Sequence, residues 1–499
     1  MDSGRNVGST RREVLAGLGA LAAMPAGAAA AAPLRILLDR AAGEREPAAM
    51  LAALRRASTR DLDAADRVLL RMVVRGVERE AELRRAFPFG KADASSPYVL
   101  SQRHGAWLEL GAAGVSPSDN ARRLDSETER LRAAAALGIV PPACILDPVV
   151  REESALGGKA APEVRAALER QIAELRRLRA GAGSAPGVWR FPGGEDYHRL
   201  RLRCTSGLDD PPTEIERRVA HETATLLERA DRLLKGLGLR AGGVGERLRA
   251  LKRRPEHVIS NDEAGRTLAV AGMNAALAKL RPNLAAWFNA PFETGGSVRR
   301  MTAAEERAAK RGYRDPVAGA YYPDLAAVRE RPAWTLTTVA YHETLPGHLL
   351  QLRREAQADP HPLQVKYAPG YPEGWAIYAE ALVDAMGLLS PLEQLGFIQS
   401  LLFRLARVTC DIGIHLRRWE RARAIRYLEE TAGFELFFPF AVEVDRYAAE
   451  PGAFAGDAMV ALTLRTLGRA AAASGRLRGF HDSVLDRGPI SAEAIERIV

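Results

Sequence analysis

The sequence predicts a mainly α-helical protein carrying one small β element, and three observations support this. Apolar residues recur at spacings of three and four through most of the chain, with Arg, Asp and Glu between them. Proline, serine and aspartate stand where helices would start or stop. Of the 499 residues, 47% are apolar, enough for a substantial core, and no internal repeat divides them.

From Leu34 to Phe87 the spacing is helical, and Asp61-Leu62-Asp63-Ala64-Ala65-Asp66 reads as a helix start because carboxylates favour a first turn. Ser116-Pro117-Ser118-Asp119-Asn120 introduces the next helix, which Pro141-Pro142 breaks. Ala161 to Ala180 is strongly amphipathic, and the Gly/Ala/Pro run after it is a loop. From Tyr197 to Thr205, Leu200, Leu202 and Cys204 alternate with Arg199, Arg201 and Arg203. That period of two predicts a half-buried strand, with a helix as the alternative in so short a window. Pro211-Pro212-Thr213 opens a long helix through Leu234, and Asn261 to Leu280 is helical again. Pro291 to Tyr322, rich in Gly, Tyr and Arg, is the place for a short sheet or a substrate loop, with Tyr321-Tyr322-Pro323 a possible cleft wall. The rest, Leu392 to Gly433 and Val442 to Ala473, is mostly helix.

The formal charge of +9 comes mainly from arginines with acidic neighbours, as in Glu174-Leu175-Arg176-Arg177, which is how solvated helix faces read. Nucleic-acid binding would want a concentrated basic patch and a known module, and neither is evident. Cys144, Cys204 and Cys410 are too scattered for a metal knuckle or a redox pair. Ser9-Thr10-Arg11-Arg12 before a modest apolar run, then Ala26-Gly27-Ala28, describes a cleavable export signal over residues 1–28. Its paired arginines suggest the twin-arginine route to the periplasm, leaving residues 29–499 as a single helical catalytic body. No later apolar run is long enough to suggest a membrane span.

The chemistry concentrates in His342-Glu343-Thr344-Leu345-Pro346-Gly347-His348, followed by Glu373-Gly374-Trp375-Ala376-Ile377-Tyr378-Ala379-Glu380. Two histidines and one carboxylate are a common catalytic Zn2+ set, and a second carboxylate beside the ion can serve hydrolysis by water. The histidines are six apart, however. In a regular helix that separation turns about 600° and rises about 9 Å, so the two rings could not reach one ion. The chain must therefore break at Pro346-Gly347, where proline disrupts the ladder and glycine permits unusual backbone angles. The rival reading is two polar residues beside a helix break. Glu343 would carry protons rather than ligate. Glu373 is the preferred third ligand, Gly374 allows close helix approach, and Glu380, two turns on, becomes an acceptor for a ligating histidine. Trp375 and Tyr378 read as packing residues, with lining the cleft as the alternative for Tyr378.

Hydrolysis of an amide also needs a donor for the developing oxyanion. Tyr447 is the candidate, and Arg446 would bind a substrate carboxylate or simply pair with Glu443. Asp411 and His415, one helical turn apart, either place His415 as a catalytic donor or orient a neighbouring helix.

These residues resemble the bacterial DUF885 family. Its His-Glu-x-x-Pro-Gly-His-x-x-Gln pattern is met by His342, Glu343, Pro346, Gly347, His348 and Gln351, and its Glu-Gly-Trp-Ala-x-Tyr-x-Glu by Glu373 to Glu380. Its Arg-Leu-x-x-Asp-x-Gly-x-His segment resembles Arg404 to His415 with longer spacing before Asp411; Glu443 to Gly452 and Phe480 to Pro489 match its later patterns. The resemblance runs from about residue 34 to the end. Two departures stand out: Leu349 replaces a frequent histidine, and Ala453-Phe454-Ala455-Gly456-Asp457 lacks the usual Gln and Tyr after Pro451-Gly452.

The family in turn looks like a distant relative of helical gluzincin peptidases, including the carboxypeptidase Taq type. That implies a two-lobed zincin-like body, a deep central cleft with Zn2+ at its floor, and short peptides as substrates. The expected function is zinc-dependent hydrolysis of peptide bonds in short peptides, with a carboxypeptidase as one form of it, in which Glu343 assists attack by water at the ion. The alternatives are an amidohydrolase acting on a non-peptide acyl amide, or a binding protein that has lost catalysis.

Overall fold

The computed structural model describes residues 33–498 except 89, 91–94, 112–113, 290–295 and 437. The proposed export signal, residues 1–28, lies outside the described residues. The fold is mainly α, with long-range helix packing in a multi-lobed arrangement and one small sheet.

Helix starts follow the local chemistry. Asp63 accepts from the Asp66 amide at 2.7 Å to cap Ala64–Ala86, and Ser116 accepts from the Asp119 amide at 3.1 Å to cap Pro117–Ala136. Pro162, Pro212 and Pro391 each occupy a first turn, where the missing N–H costs nothing. One lobe core gathers Leu124, Leu131, Ile145, Leu146, Leu168 and Leu175 from the helices Pro117–Ala136, Ala143–Gly157 and Pro162–Gly181. The larger core gathers residues from the N-terminal helices and from most helices after Leu202, and it surrounds the metal motif.

The strand expected at Tyr197 to Thr205 is instead a helix, Gly194–Ser206. Its buried residues are Gly194, Tyr197, His198, Leu202 and Ser206, a helical stripe rather than an alternation. Arg199 pairs with Glu195 at 2.9 Å and Asp196 at 2.8 Å, contacts one turn apart that only a helix provides. Gly193 and Gly207, at φ +72° and +69°, close its two ends.

The β element lies in the Gly/Tyr/Arg-rich segment. Strands β1 (Ser297–Val298), β2 (Tyr313–Asp315) and β3 (Ala320–Tyr322) form a sheet of order β1-β3-β2, parallel on one side and antiparallel on the other. Arg314 pairs in register with Tyr321, and the rings of Tyr313 and Tyr322 stack at 4.7 Å. Asn274, on the helix Glu263–Leu280, exchanges hydrogen bonds of 2.8 and 2.9 Å with the backbone of Val298. That same helix receives the Tyr341 hydroxyl at the Ala276 carbonyl, 3.1 Å away. Sheet and metal motif are thus fixed to one helix.

Candidate metal centre

The motif helix, Ala333–Glu343, is buried along most of its length and ends at Glu343; a second helix, His348–Ala358, begins at His348. Between them the Leu345–Pro346 peptide is cis, and the Gly347 amide donates back to the Tyr341 carbonyl at 3.1 Å. The regular helix is broken where the spacing requires. A Cβ on Gly347 would run into the carbonyl oxygens of His342 and Tyr341, so only glycine fits this fold-back. Trp375 adds to its packing role by donating its indole N–H to the Pro346 carbonyl at 3.0 Å, tying the turn to the Glu373 helix, Tyr371–Ala385. Gly374 lets that helix press on Val460 of Ala455–Ala473, as its position suggested.

The break brings the two imidazoles together, edge to face, with ring centres 4.8 Å apart. His342 Nε2 lies 3.2 Å from Glu373 Oε2, and His348 Nε2 lies 3.3 Å from Glu373 Oε1. The three ligand atoms fall within 4.8 Å of one another. Ligands about 2.0–2.1 Å from a tetrahedral ion sit about 3.3 Å apart, so this donor set suits Zn2+. His348 Nε2 is a second test: it is buried, and although Glu373 is near, it has no aligned hydrogen-bond partner. The histidines are buried while the Glu373 side chain is 42% exposed, which gives the cluster access from outside.

The electrostatics favour a cation. Burial lowers the His348 imidazole to about 4, with the Arg314 charge adding to it, so the ring is neutral at neutral pH. Burial pulls His342 the same way, but the carboxylates of Glu373 and Glu380 outweigh it and raise that ring to about 9. Burial likewise opposes ionisation of Glu373, yet the two imidazoles hold its carboxyl well below the usual range. Glu380 Oε1, itself buried, lies 2.7 Å from His342 Nδ1, the acceptor position expected for it. A small open pocket reaches His342, Glu343, Glu380, Ser400 and Arg404.

The other expected residues are placed as follows. Glu343 Oε2 forms an ion pair with Arg314, 3.2 Å from its Nε. Tyr447 is fully buried among Cys410, Val444 and Phe454, and its hydroxyl has no hydrogen-bond partner among the described residues. Arg446 pairs with Glu443 at 2.9 Å, the second of the two roles open to it. His415 accepts from the Val188 amide at 3.1 Å and donates to the Tyr447 carbonyl at 3.0 Å, so both ring nitrogens serve the backbone. Asp411 lies 3.7 Å from His415 but accepts from His198 and from the Gly452 amide, each at 2.9 Å. Among the described residues, no hydrogen bond or ion pair joins Tyr447, Arg446 or His415 to the two histidines and Glu373. Tyr378 is buried and its hydroxyl pairs with His481 at 2.9 Å.

Sequence reasoning missed three neighbours of the cluster. Arg404 approaches Glu380 at 3.9 Å and Glu373 at 4.0 Å, and Asp457 is pushed up to about 6 by burial and by Glu373. Arg314 reaches Glu343 from the sheet. Nothing local marks Arg314, because its partner is distant in sequence and the sheet makes the contact.

The profile of a family described as bacterial protein of unknown function (DUF885) matches residues 150–499, more than half of the chain. A solved structure from Colwellia psychrerythraea, described as a candidate lipoprotein, is similar at 22% identity with a TM-score of 0.72, covering 91% of this chain and 89% of that one. Another, described as a candidate lipoprotein of unknown function from Shewanella oneidensis, is similar at 14% identity with a TM-score of 0.63, covering 92% of each chain. These likenesses are in fold. No curated protein matches the chain. Among the described residues, no helix is long and apolar enough to cross a membrane.

Proposed function

Because the chain belongs to DUF885, a bacterial family of unknown function, we propose its activity from its own site: a zinc-dependent hydrolase that cleaves peptide bonds in short peptides. The observation that carries this is a His342/His348/Glu373 cluster whose two histidines are buried, with a further carboxylate, Glu343, directly following His342 in the chain.

His342, His348 and Glu373 would hold the ion. When bound, a divalent zinc ion supplies a Lewis acid that polarises the scissile carbonyl and makes water acidic. Glu343 takes a proton from the attacking water and hands it to the leaving nitrogen. Glu380 fixes the His342 ring through Nδ1, leaving Nε2 for the ion. Arg446, through Glu443, and His415, through Val188 and Tyr447, support the surrounding helices in this reading, and Tyr447 packs between them. Kinship to carboxypeptidase Taq-type peptidases, a deep cleft and release of C-terminal residues belong to the same proposal.

Export fits the reading. The similar solved structures are described as candidate lipoproteins, and residues 1–28 carry a basic start, a modest apolar run and a small-residue cut. We place the mature enzyme in the periplasm.

The test is mass spectrometry of products after the zinc-loaded protein meets a mixed peptide library and a set of N-acyl amides. Cleavage of short peptides supports the proposal. Cleavage of non-peptide amides alone assigns an amidohydrolase instead.

A further inference from the structure

Tyr447, the residue that sequence chemistry marks as the oxyanion donor, is fully buried and has no bond to the metal cluster, and His415 is held at both nitrogens by backbone. The hydrolysis proposed above still needs a donor beside the carbonyl under attack. Three arginines lie near the cluster. Arg404 is nearly buried and gives Nη1 to Ser400. Arg407 is held over the Phe454 ring at 4.6 Å, 3.9 Å from Glu443. Arg314 differs from both: it is ion-paired with Glu343, with Nε 3.2 Å from Oε2, the side chain is 31% exposed, and no hydrogen bond of its terminal nitrogens is found among the described residues.

We propose that Arg314 is a catalytic residue of this site, donating from its terminal nitrogens to the oxyanion that forms when water attacks the substrate carbonyl. The role rests on the hydrolase reading and adds a residue to it.

The geometry follows from the guanidinium itself, a rigid plane in which the terminal nitrogens lie about 2.3 Å from Nε. With Nε on Glu343 at 3.2 Å, the terminal donors are held beside the carboxylate that must touch the attacking water. The carbonyl under attack must lie within about 3 Å of that water, and so within reach of Arg314. A substrate carboxylate one residue further along would lie beyond that reach. The β2–β3 register and the Asn274 clamp hold Arg314 to the same helix that receives Tyr341 of the motif helix, so the donor is preorganised.

The step balances. A C–O bond forms as the carbonyl π pair moves onto oxygen, where Arg314 receives the charge, and Glu343 takes one water proton. The pair then returns, the C–N bond breaks, and Glu343 delivers that proton to the departing nitrogen. The second water proton leaves from the acid product.

The experiment compares two ligands on the zinc-loaded protein by calorimetry. One is a phosphinic dipeptide, a tetrahedral anion resembling the transition state; the other is the matching N-acetyl dipeptide. Binding is measured in the Glu343→Gln background, where proton transfer no longer matters. Adding Arg314→Gln should weaken the phosphinate roughly 10-fold or more and change the acetyl dipeptide less than about threefold. In the otherwise native enzyme, Arg314→Gln should lower kcat about 10²- to 10³-fold with little change in KM. Arg314→Lys, which keeps the charge and loses the fork, should fall between, and circular dichroism verifies folding of both variants. Equal loss of both ligands, or loss of neither, overturns the role. A native protein that binds zinc and hydrolyses no peptide or amide overturns the hydrolase reading, and this role with it.

Discussion

Glu380 Oε1 stands 2.7 Å from Nδ1 of His342, while Nε2 of the same ring faces Glu373 at 3.2 Å. One imidazole thus bridges two carboxylates on one helix, Tyr371–Ala385, spaced two turns apart. With an ion on Nε2 the ring keeps its one proton at Nδ1, where the Glu380 carboxylate, which only accepts, holds it. Glu380 selects the tautomer that a metal ion needs.

Glu380→Gln should therefore keep the shape of the site and weaken zinc binding by about 10- to 100-fold, as seen when such outer partners are removed. Competition with a chromophoric chelator measures it. Unchanged affinity would mean that the Glu380 contact does not orient His342 for metal.

Zinc binding should release about one proton at neutral pH. Before metal arrives, His342 is protonated below about 9 and must lose its Nε2 proton, whereas His348 is already neutral above about 4. The logarithm of affinity should rise by about one per pH unit from about pH 5 to 8 and flatten above about 9. Below about 4 it should steepen, because His348 must then lose a proton as well. Calorimetry in buffers of different ionisation enthalpy counts the protons, and a count near zero at pH 7 contradicts the assignment.

Gly347→Ala should harm both stability and metal binding. The added methyl meets backbone oxygens of His342 and Tyr341, which cannot step aside without moving a ligand. Overpacking of this kind costs about 1–3 kcal/mol. A variant with native Tm and native zinc affinity would show that the fold-back tolerates a side chain.

Much of the metal cluster was legible because its logic is local. The six-residue spacing cannot serve one ion on a regular helix, so the break at Pro346-Gly347 follows from geometry, and the seven-residue spacing of Glu373 and Glu380 places them on one face with separate tasks. The helix caps at Asp63 and Ser116 were legible for the same reason. The segment Gly194–Ser206 misled because its arginines alternate with apolar residues over a window too short to separate two periods; burial of Tyr197, His198, Leu202 and Ser206 decided for helix. The approach of Arg314, Arg404 and Asp457 to the cluster was not legible because each meets it through tertiary packing, and neither were the burial of Tyr447 and the backbone bonds of His415.

The most direct test of the central claim is zinc content and peptide turnover on the same preparations of native protein, Glu343→Gln and His348→Ala. The account predicts one zinc and turnover in the native protein. It predicts one zinc with at least about 10²-fold slower turnover in Glu343→Gln, and loss of both zinc and turnover in His348→Ala. Native turnover in Glu343→Gln, or a full zinc complement in His348→Ala, would contradict it.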